Sequence, residues 1–188
     1  MDALFNLLHS AEFVQMLTLV TQLLEAALSI ILVYIAWRIN KSLWFSQKLV
    51  EERINVYKET APKLNDLYCY YRYVGNWKDN TPDTILQHKR ELDKCIHMYQ
   101  YIFCNEFKQK YYTLMDTYFK TFNEMGTDAR LRTKTHHREP LWDEKDKERF
   151  KSMFASPQEC PPKETITQVY DDFMNHFAQE LGLNKVKI

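Results

Sequence analysis

A row of polar side chains interrupts the most apolar stretch of the sequence, which runs from Leu17 to Trp37. At about 1.5 Å of rise per residue, a helix of this length spans about 32 Å, enough for a hydrocarbon core of about 30 Å. Side chains three or four residues apart share one helix face, so the polar residues form a stripe. A carboxylate at mid-membrane depth costs roughly 2.5–3.5 kcal/mol unless it faces protein or water. The stripe therefore predicts residues that line a narrow, cation-permissive pore between copies of the chain, namely Thr18, Gln22, Glu25 and Ser29.

The polar stripe has a second interpretation, which the sequence leaves open. Polar and small residues also hold transmembrane helices together, by hydrogen bonds and close packing, without forming a channel. We expect a homo-oligomer in the lipid bilayer, with a tetramer as one candidate for its size. The function predicted from the stripe is a membrane channel. The alternative is a non-conducting, membrane-anchored helical scaffold or a ligand-sensing binding module.

The most basic stretch of the sequence reads GTDARLRTKTHHR and covers residues 126–138, with Asp128 as its one acid. Arginine binds phosphates through paired hydrogen bonds, and lysine, threonine and backbone N–H groups add further donors. The stretch therefore predicts a site for a phosphate-bearing ligand such as a nucleotide or oligonucleotide. The alternative is a solvated loop, or a loop paired with the acidic segment EPLWDEKDKE that follows. The candidate ligand-binding residues are Arg130, Arg132, Lys134, His136, His137 and Arg138.

The sequence lacks the motifs of the common enzyme families. It has no G-x-x-x-x-G-K-[ST], G-x-G-x-x-G, H-E-x-x-H or G-x-S-x-G pattern. The four cysteines include no C-x-x-C pair, and the six histidines are scattered except for His136 and His137. The net charge is zero, which gives no support for non-specific nucleic-acid binding. We therefore predict a protein that is not an enzyme, with reduced thiols, no metal and no cofactor.

The charges beside the apolar stretch predict its orientation. All 25 Lys and Arg lie at or after Arg38, directly beyond the apolar stretch. By the positive-inside rule, the N-terminus faces outwards in a single-pass protein of the cell inner membrane. A cleaved signal peptide would instead need basic residues before a shorter apolar core. The expected organisation is an outer amphipathic or interfacial segment over residues 1–16, a transmembrane helix over 17–37 and a cytoplasmic helical domain over 38–188.

The first cytoplasmic helix is expected to continue from the membrane to about Trp77. Pro62 is expected to kink this helix or to break it in two, and Gly75 is expected to end it. Its last turns are rich in aromatic residues, which are expected to be mainly core, although such rings also stack on bases. The aromatic cluster comprises Tyr68, Tyr70, Tyr71, Tyr73 and Trp77.

Start and stop signals predict the remaining helices. The run Thr81–Pro82–Asp83 has the N-cap, the proline and the acid of a helix start, and this helix is expected to end at about Phe103. Two further amphipathic helices are expected over residues 106–125 and 163–181, and Gly182 suits a Schellman end for the last one. The sequence therefore predicts an all-α fold, with one N-terminal transmembrane helix followed by a cytoplasmic bundle.

This organisation resembles the small membrane effectors of bacterial anti-phage defence, in particular the HalB-type effectors of the Hailong system. The similarity lies in the stretches RINVYKETAPKLNDLYCYYRYVGNWK and GTDARLRTKTHHR, together with the single span that contains an acid. The resemblance implies a channel that depolarises the membrane and kills or arrests an infected cell. It also implies a soluble domain that binds a signal made by a partner nucleotidyltransferase. In the Hailong type, a DNA-like oligomer keeps the effector shut and its loss opens the pore.

Overall fold

The computed structural model describes residues 2–121 and 128–183. These residues are mostly helical with two short strands, so the predicted all-α fold class is confirmed. The chain divides into two compact units, Met1–Lys48 and Leu49–Ile188. The elements are α1 (Asp2–Arg72), α2 (Pro82–Tyr99), α3 (Asn105–Tyr118), β1 (Phe119–Lys120), β2 (Arg130–Leu131), α4 (Glu144–Ser152) and α5 (Lys163–Glu180), with 3-10 turns at Gln100–Ile102, Glu139–Leu141 and Pro157–Glu159.

The first unit consists of the first part of α1, in which every side chain over residues 10–48 is exposed. Among the described residues, α1 is the one helix that is long and apolar enough to cross a membrane. Its most apolar 18-residue window has a mean hydropathy of 2.0 and no buried side chain. Such a helix is compatible with a membrane span near the N-terminus, because lipid would cover its apolar surface. Residues 2–16 belong to the same helix.

In the second unit, α1 continues through Pro62 and ends at Arg72, so the alternative in which the helix breaks at this proline is wrong. A proline inside a helix costs about 3 kcal/mol, because it removes a hydrogen bond and its ring crowds the preceding turn. Val56, Leu64 and Leu67 on either side of Pro62 are buried in the core. Burial of each such side chain contributes about 1.5–3 kcal/mol, which offsets the cost of the proline.

The turn after α1 depends on the glycine that the sequence predicts as a helix stop. Tyr73 and Gly75 have positive φ angles of 61° and 56°. The N–H of Val74 donates to the carbonyl of Cys69 at 3.2 Å. A Cβ at Gly75 would lie 3.1 Å from Cys69 Sγ, so both the backbone conformation and the space favour glycine here.

The second helix begins where the sequence predicted. Thr81 is the N-cap, with its Oγ1 accepting from the N–H of Thr84 at 3.2 Å, and Pro82 is the first helical residue. This hydrogen bond satisfies a backbone donor that has no partner within the helix. The helix ends at Tyr99 and a 3-10 turn over Gln100–Ile102 follows, so α2 is shorter than predicted.

The third helix is also shorter than predicted, because the chain after Tyr118 forms a small hairpin. The strands β1 and β2 pair antiparallel, with Phe119 opposite Leu131 and both side chains fully buried. An aromatic and a branched side chain gain more from this cross-strand burial than from one more helical turn. Phe122 and Gly126, on which the longer helix was predicted, lie outside the described residues.

The last helix is confirmed as predicted, and it packs against α3. The N–H of Leu183 donates to the carbonyl of Ala178, and that of Gly182 donates to Gln179, both at 2.9 Å. This pair of bonds, with a φ of 79° at Gly182, is the predicted Schellman end. The helices enclose a largely aromatic core, in which Phe103, Phe107, Tyr111, Phe173 and Phe177 are in mutual ring contact.

The tyrosines near the end of α1 are partly core residues, as predicted. Tyr70 and Tyr71 are buried, and Tyr71 stacks on Tyr118 with ring centroids 4.5 Å apart. Tyr73 differs, because its ring borders a pocket on the surface of the second unit.

Candidate functional site

The polar stripe lies on the exposed, apolar part of α1, at the spacing that places its four residues on one helix face. Thr18 Oγ1 donates to the carbonyl of Val14, and Ser29 Oγ donates to that of Glu25, both at 2.8 Å. These bonds satisfy both hydroxyl donors within the helix itself. Among the described residues, the side chains of Gln22 and Glu25 have no hydrogen-bond partner. The amide of Gln22 and the carboxylate of Glu25, about one helical turn apart, are therefore the two groups of the stripe that require hydrogen-bond partners outside this helix.

The second unit contains a pocket of about 450 Å³ near the hairpin. Much of its wall consists of residues 132–137, which follow β2, and residues 160–163, where α5 begins. Strand β2 is fixed on its outer side, because the N–H of Leu131 donates to the carbonyl of Met153 at 2.8 Å and the N–H of Ala155 donates back at 2.9 Å. These bonds hold the backbone that carries the basic side chains of the pocket.

The structure brings together most of the basic residues predicted to bind a ligand. Arg130 is exposed on β2 and does not line the pocket. Arg138 is buried and does not line the pocket either. The other four residues lie together at its wall, namely Arg132, Lys134, His136 and His137.

Arg138 lies behind the wall of the pocket, where it supports residues that do line it. Its side chain is 2% exposed, and its guanidinium carbon lies 3.8 Å and 4.3 Å from the ring centroids of Tyr70 and Tyr73. It donates to the carbonyl of Tyr70, to the carbonyl of Lys134 at 2.5 Å and to the hydroxyl of Tyr73 at 3.0 Å. Arg138 therefore connects the end of α1 to the loop after β2, and it positions Tyr73 and Lys134 beside the pocket.

One basic residue of the pocket, Lys163, was missed by the sequence analysis. Lys163 is the first residue of α5, and its Nζ lies 5.2 Å from the ring centroid of Tyr73. A lysine directly after Pro162 was a usable signal, because a double proline before a helix fixes the position of its first side chains. A second pocket of about 360 Å³ shares Tyr73, His137 and Lys163 and adds Trp77. Basic groups and half-buried aromatic rings thus occur side by side, as in sites that bind phosphates and stack bases.

The pocket lacks compensating acids. Within ranges 2–121 and 128–183, no Asp or Glu lines it. Arg132 donates to the carbonyl of Asp116 at 2.7 Å, while its Nε is buried without a partner among the described atoms. In the same part of the chain, neither Arg132 nor Lys134 forms an ion pair with the acidic segment 139–148. A buried N–H donor and uncompensated positive charge both favour an anionic ligand.

Cys160 also lines the pocket, but its chemistry is that of a neutral thiol. Burial raises the pKa of the Cys160 thiol, so little nucleophilic thiolate is present at neutral pH. Where the structure is described, no group of three metal-ligating side chains includes Cys160, His136 or His137. The pocket therefore suits a ligand held by charge and hydrogen bonds.

We expect anionic ligands to bind this pocket more tightly as the pH falls from about 8 to about 6. Desolvation lowers the pKa of His137, and the nearby His136 and Lys163 lower it further. A bound phosphate raises this pKa again, so binding takes up a proton and affinity increases towards low pH. Calorimetry with a short single-stranded DNA oligonucleotide, in buffers of different ionisation enthalpy, measures this uptake.

The control for this measurement is a histidine outside the pocket. His137→Gln should reduce the proton uptake, whereas His97→Gln should leave it unchanged. Equal proton uptake by the wild type and the His137→Gln variant would contradict the assignment of His137 to the anion site.

Comparisons with known proteins do not assign this chain to a family. No protein-family model, no curated protein and no solved structure shows significant similarity to this chain.

Proposed function

We propose that this protein is an oligomeric membrane channel, gated by a nucleotide or oligonucleotide that binds to its C-terminal unit. The observation that carries the proposal is the pair Gln22 and Glu25 on the apolar first part of α1, where every side chain over residues 10–48 is exposed. A single helix cannot enclose these side chains, and lipid offers them no hydrogen bonds. In an oligomer whose stripes face inward, these side chains would contact those of other copies and water. The carboxylates of Glu25 would then form a ring that attracts cations.

The membrane orientation is part of this proposal. Arg38, Lys41 and Lys48 follow the predicted span, and Lys41 Nζ lies 5.3 Å from the ring centroid of Trp37. Basic residues and an interfacial tryptophan at the same end favour the cytoplasmic side of a membrane. The second unit would then be cytoplasmic, where nucleotide signals are made.

The chemistry of the ligand is inferred from the pocket in the second unit. Lys134, Lys163 and Arg132 provide donors for phosphate oxygens, and Tyr73 and Trp77 provide rings for stacking. A ligand with several phosphates and bases uses both pockets, whereas inorganic phosphate uses only the charges. The resemblance to HalB-type effectors supports the same ligand class, with a role in anti-phage defence and a partner nucleotidyltransferase as the source.

Replacing the span separates a channel from a non-conducting scaffold. In one variant, residues 17–37 become leucine except for Tyr34 and Trp37, so that the helix still inserts but has no stripe. In its matched control, the other positions become leucine while the four stripe residues stay. Both variants are purified as full-length protein, reconstituted in liposomes and tested for ion flux with a voltage-sensitive dye.

We expect ion flux from the control variant and none above background from the all-leucine span. The reason is that leucine side chains can pack together but cannot hydrate or attract a cation. Equal flux from both variants would contradict a pore lined by the stripe, and no flux from wild-type protein in liposomes, with or without an oligonucleotide, would favour the scaffold.

A further inference from the structure

A second group of reactive side chains lies apart from the pocket, where the start of α3 meets the end of α5. Cys104 is the N-cap residue of α3, and its side chain does not cap the helix. His176 and Glu180 lie four residues apart on α5 and thus on the same helix face. Their side chains are 11% and 10% exposed, so both are largely removed from water.

Two of the distances in this group match those between ligands of one metal ion. Cys104 Sγ lies 3.3 Å from His176 Nε2, which lies 3.7 Å from Glu180 Oε1. All three ligand atoms are within 4.8 Å of one another. Zinc binds sulfur at about 2.3 Å and nitrogen or oxygen at about 2.0–2.2 Å, so ligand atoms around a tetrahedral zinc are roughly 3.3–3.7 Å apart.

The surrounding residues hold these ligands in place. Glu106 Oε1 lies 3.8 Å from His176 Nδ1, the ring nitrogen that faces away from Cys104. At this distance the two groups form no hydrogen bond, but a metal-bound His176 that donated its Nδ1–H to Glu106 would have its ring orientation fixed by that carboxylate. Arg53 lies 2.9 Å from Glu180 Oε2 and donates to the backbone carbonyl of the same residue, while Glu180 Oε1 accepts from the backbone N–H of Cys104 at 3.4 Å and so lies beside the Cys104 side chain.

We propose that Cys104, His176 and Glu180 bind a zinc ion, with water in the fourth position. A set of one sulfur, one nitrogen and one oxygen suits a borderline-soft ion and not magnesium or calcium, which prefer oxygen ligands. The thiolate and the carboxylate together neutralise the two charges of the zinc ion, and Glu106, whose Oε1 lies 3.8 Å from His176 Nδ1, offsets the remaining positive charge of Arg53. Sequence spacing conceals this site, because Cys104 and His176 are 72 residues apart in the chain. The site is independent of the proposed channel function.

Cobalt provides a direct test, because it substitutes for zinc and reports its ligands by absorption. Full-length protein in detergent, stripped with a chelator under reducing conditions, is titrated with Co²⁺ and then with Zn²⁺. We expect one Co²⁺ per chain, a thiolate-to-metal charge-transfer band in the near ultraviolet and strong visible bands from tetrahedral coordination. Zn²⁺ should displace the cobalt and remove these bands.

The variants assign the bands to individual residues. Cys104→Ser should abolish the charge-transfer band, whereas Cys160→Ser, at another partly accessible thiol, should leave it intact. Glu106→Gln should weaken zinc binding by about 10- to 100-fold while keeping the band. Far-ultraviolet circular dichroism verifies that each variant is folded. Absence of the band in wild-type protein, or its persistence in Cys104→Ser, would overturn the proposal.

Discussion

Glu25→Leu is expected to lower ion conductance by at least about tenfold, while the protein remains in the membrane. A ring of carboxylates in a low-dielectric passage raises the local concentration of cations by about 10- to 1000-fold, and leucine removes this attraction. The same substitution removes an insertion cost of roughly 2.5–3.5 kcal/mol, so membrane association should not decrease. Single-channel or liposome flux recordings, together with membrane fractionation, measure the two effects separately.

The matched control for this prediction is Glu12→Leu. Glu12 undergoes the same chemical change, but it precedes the predicted span and lies off the face that contains the stripe. Its conductance should stay close to that of the wild type. Ser29→Ala should also have a small effect, because its hydroxyl already donates within the helix. Wild-type conductance in Glu25→Leu would contradict a pore lined by this carboxylate.

The long apolar helix segment on which the span is predicted, and the last helix, could be recognised because their signals are local. An apolar stretch followed by basic residues needs no knowledge of tertiary contacts, and the same is true of the amphipathic pattern that ends at Gly182. What sequence could not show is which polar groups of the span are satisfied by their own helix. Thr18 and Ser29 differ from Gln22 and Glu25 in this respect, although all four lie on one face.

The helix ends that were mispredicted depend on contacts between distant residues. Pro62 is tolerated because Leu64 and its neighbours are buried by other elements of the second unit. Tyr118 is the last residue of α3 because Phe119, the next residue, pairs with Leu131 in the hairpin. The sequence analysis assigned Phe119 to the helix and Leu131 to a loop. Local propensity is a weak predictor wherever burial of a few kcal/mol favours another conformation.

The residues of the candidate pocket could be predicted only in part, because some of them come from distant segments of the chain. Its basic residues Arg132, Lys134, His136 and His137 are close in sequence, so composition alone indicated them. Lys163 comes from α5, and no local pattern links it to the loop.

Arg138 was assigned to the wrong environment. Its charge suggested a contact with a ligand, but the structure places its side chain in the core. The contacts that decide this lie in distant segments: the guanidinium of Arg138 meets the ring of Tyr70, 68 residues earlier in the chain. A local basic pattern therefore does not separate ligand-binding arginines from buried ones.

Arg138→Met is expected to lower the free energy of unfolding by about 3–5 kcal/mol, because the buried guanidinium donates to carbonyls from two distant segments and packs on two rings. Methionine fills much of the same volume but leaves the carbonyls of Tyr70 and Lys134 without their donor, at about 1–3 kcal/mol for each buried acceptor. Loss of the cation–π contact with Tyr70 adds about 2 kcal/mol in a desolvated site. The terms are not additive, so the total lies below their sum.

Urea unfolding of the full-length protein in detergent, followed by the fluorescence of its four tryptophans, measures this loss. Arg149→Ala is the control, because that side chain is half-exposed and its ion pairs with Asp83 and Asp146 are screened by water. Its unfolding midpoint should be nearly unchanged. Arg138→Lys should recover only part of the stability, since an ammonium cannot reproduce the planar contact with two rings. Equal midpoints for Arg138→Met and wild type would show that the buried cation contributes little, and Tyr73 would then need another support at the pocket.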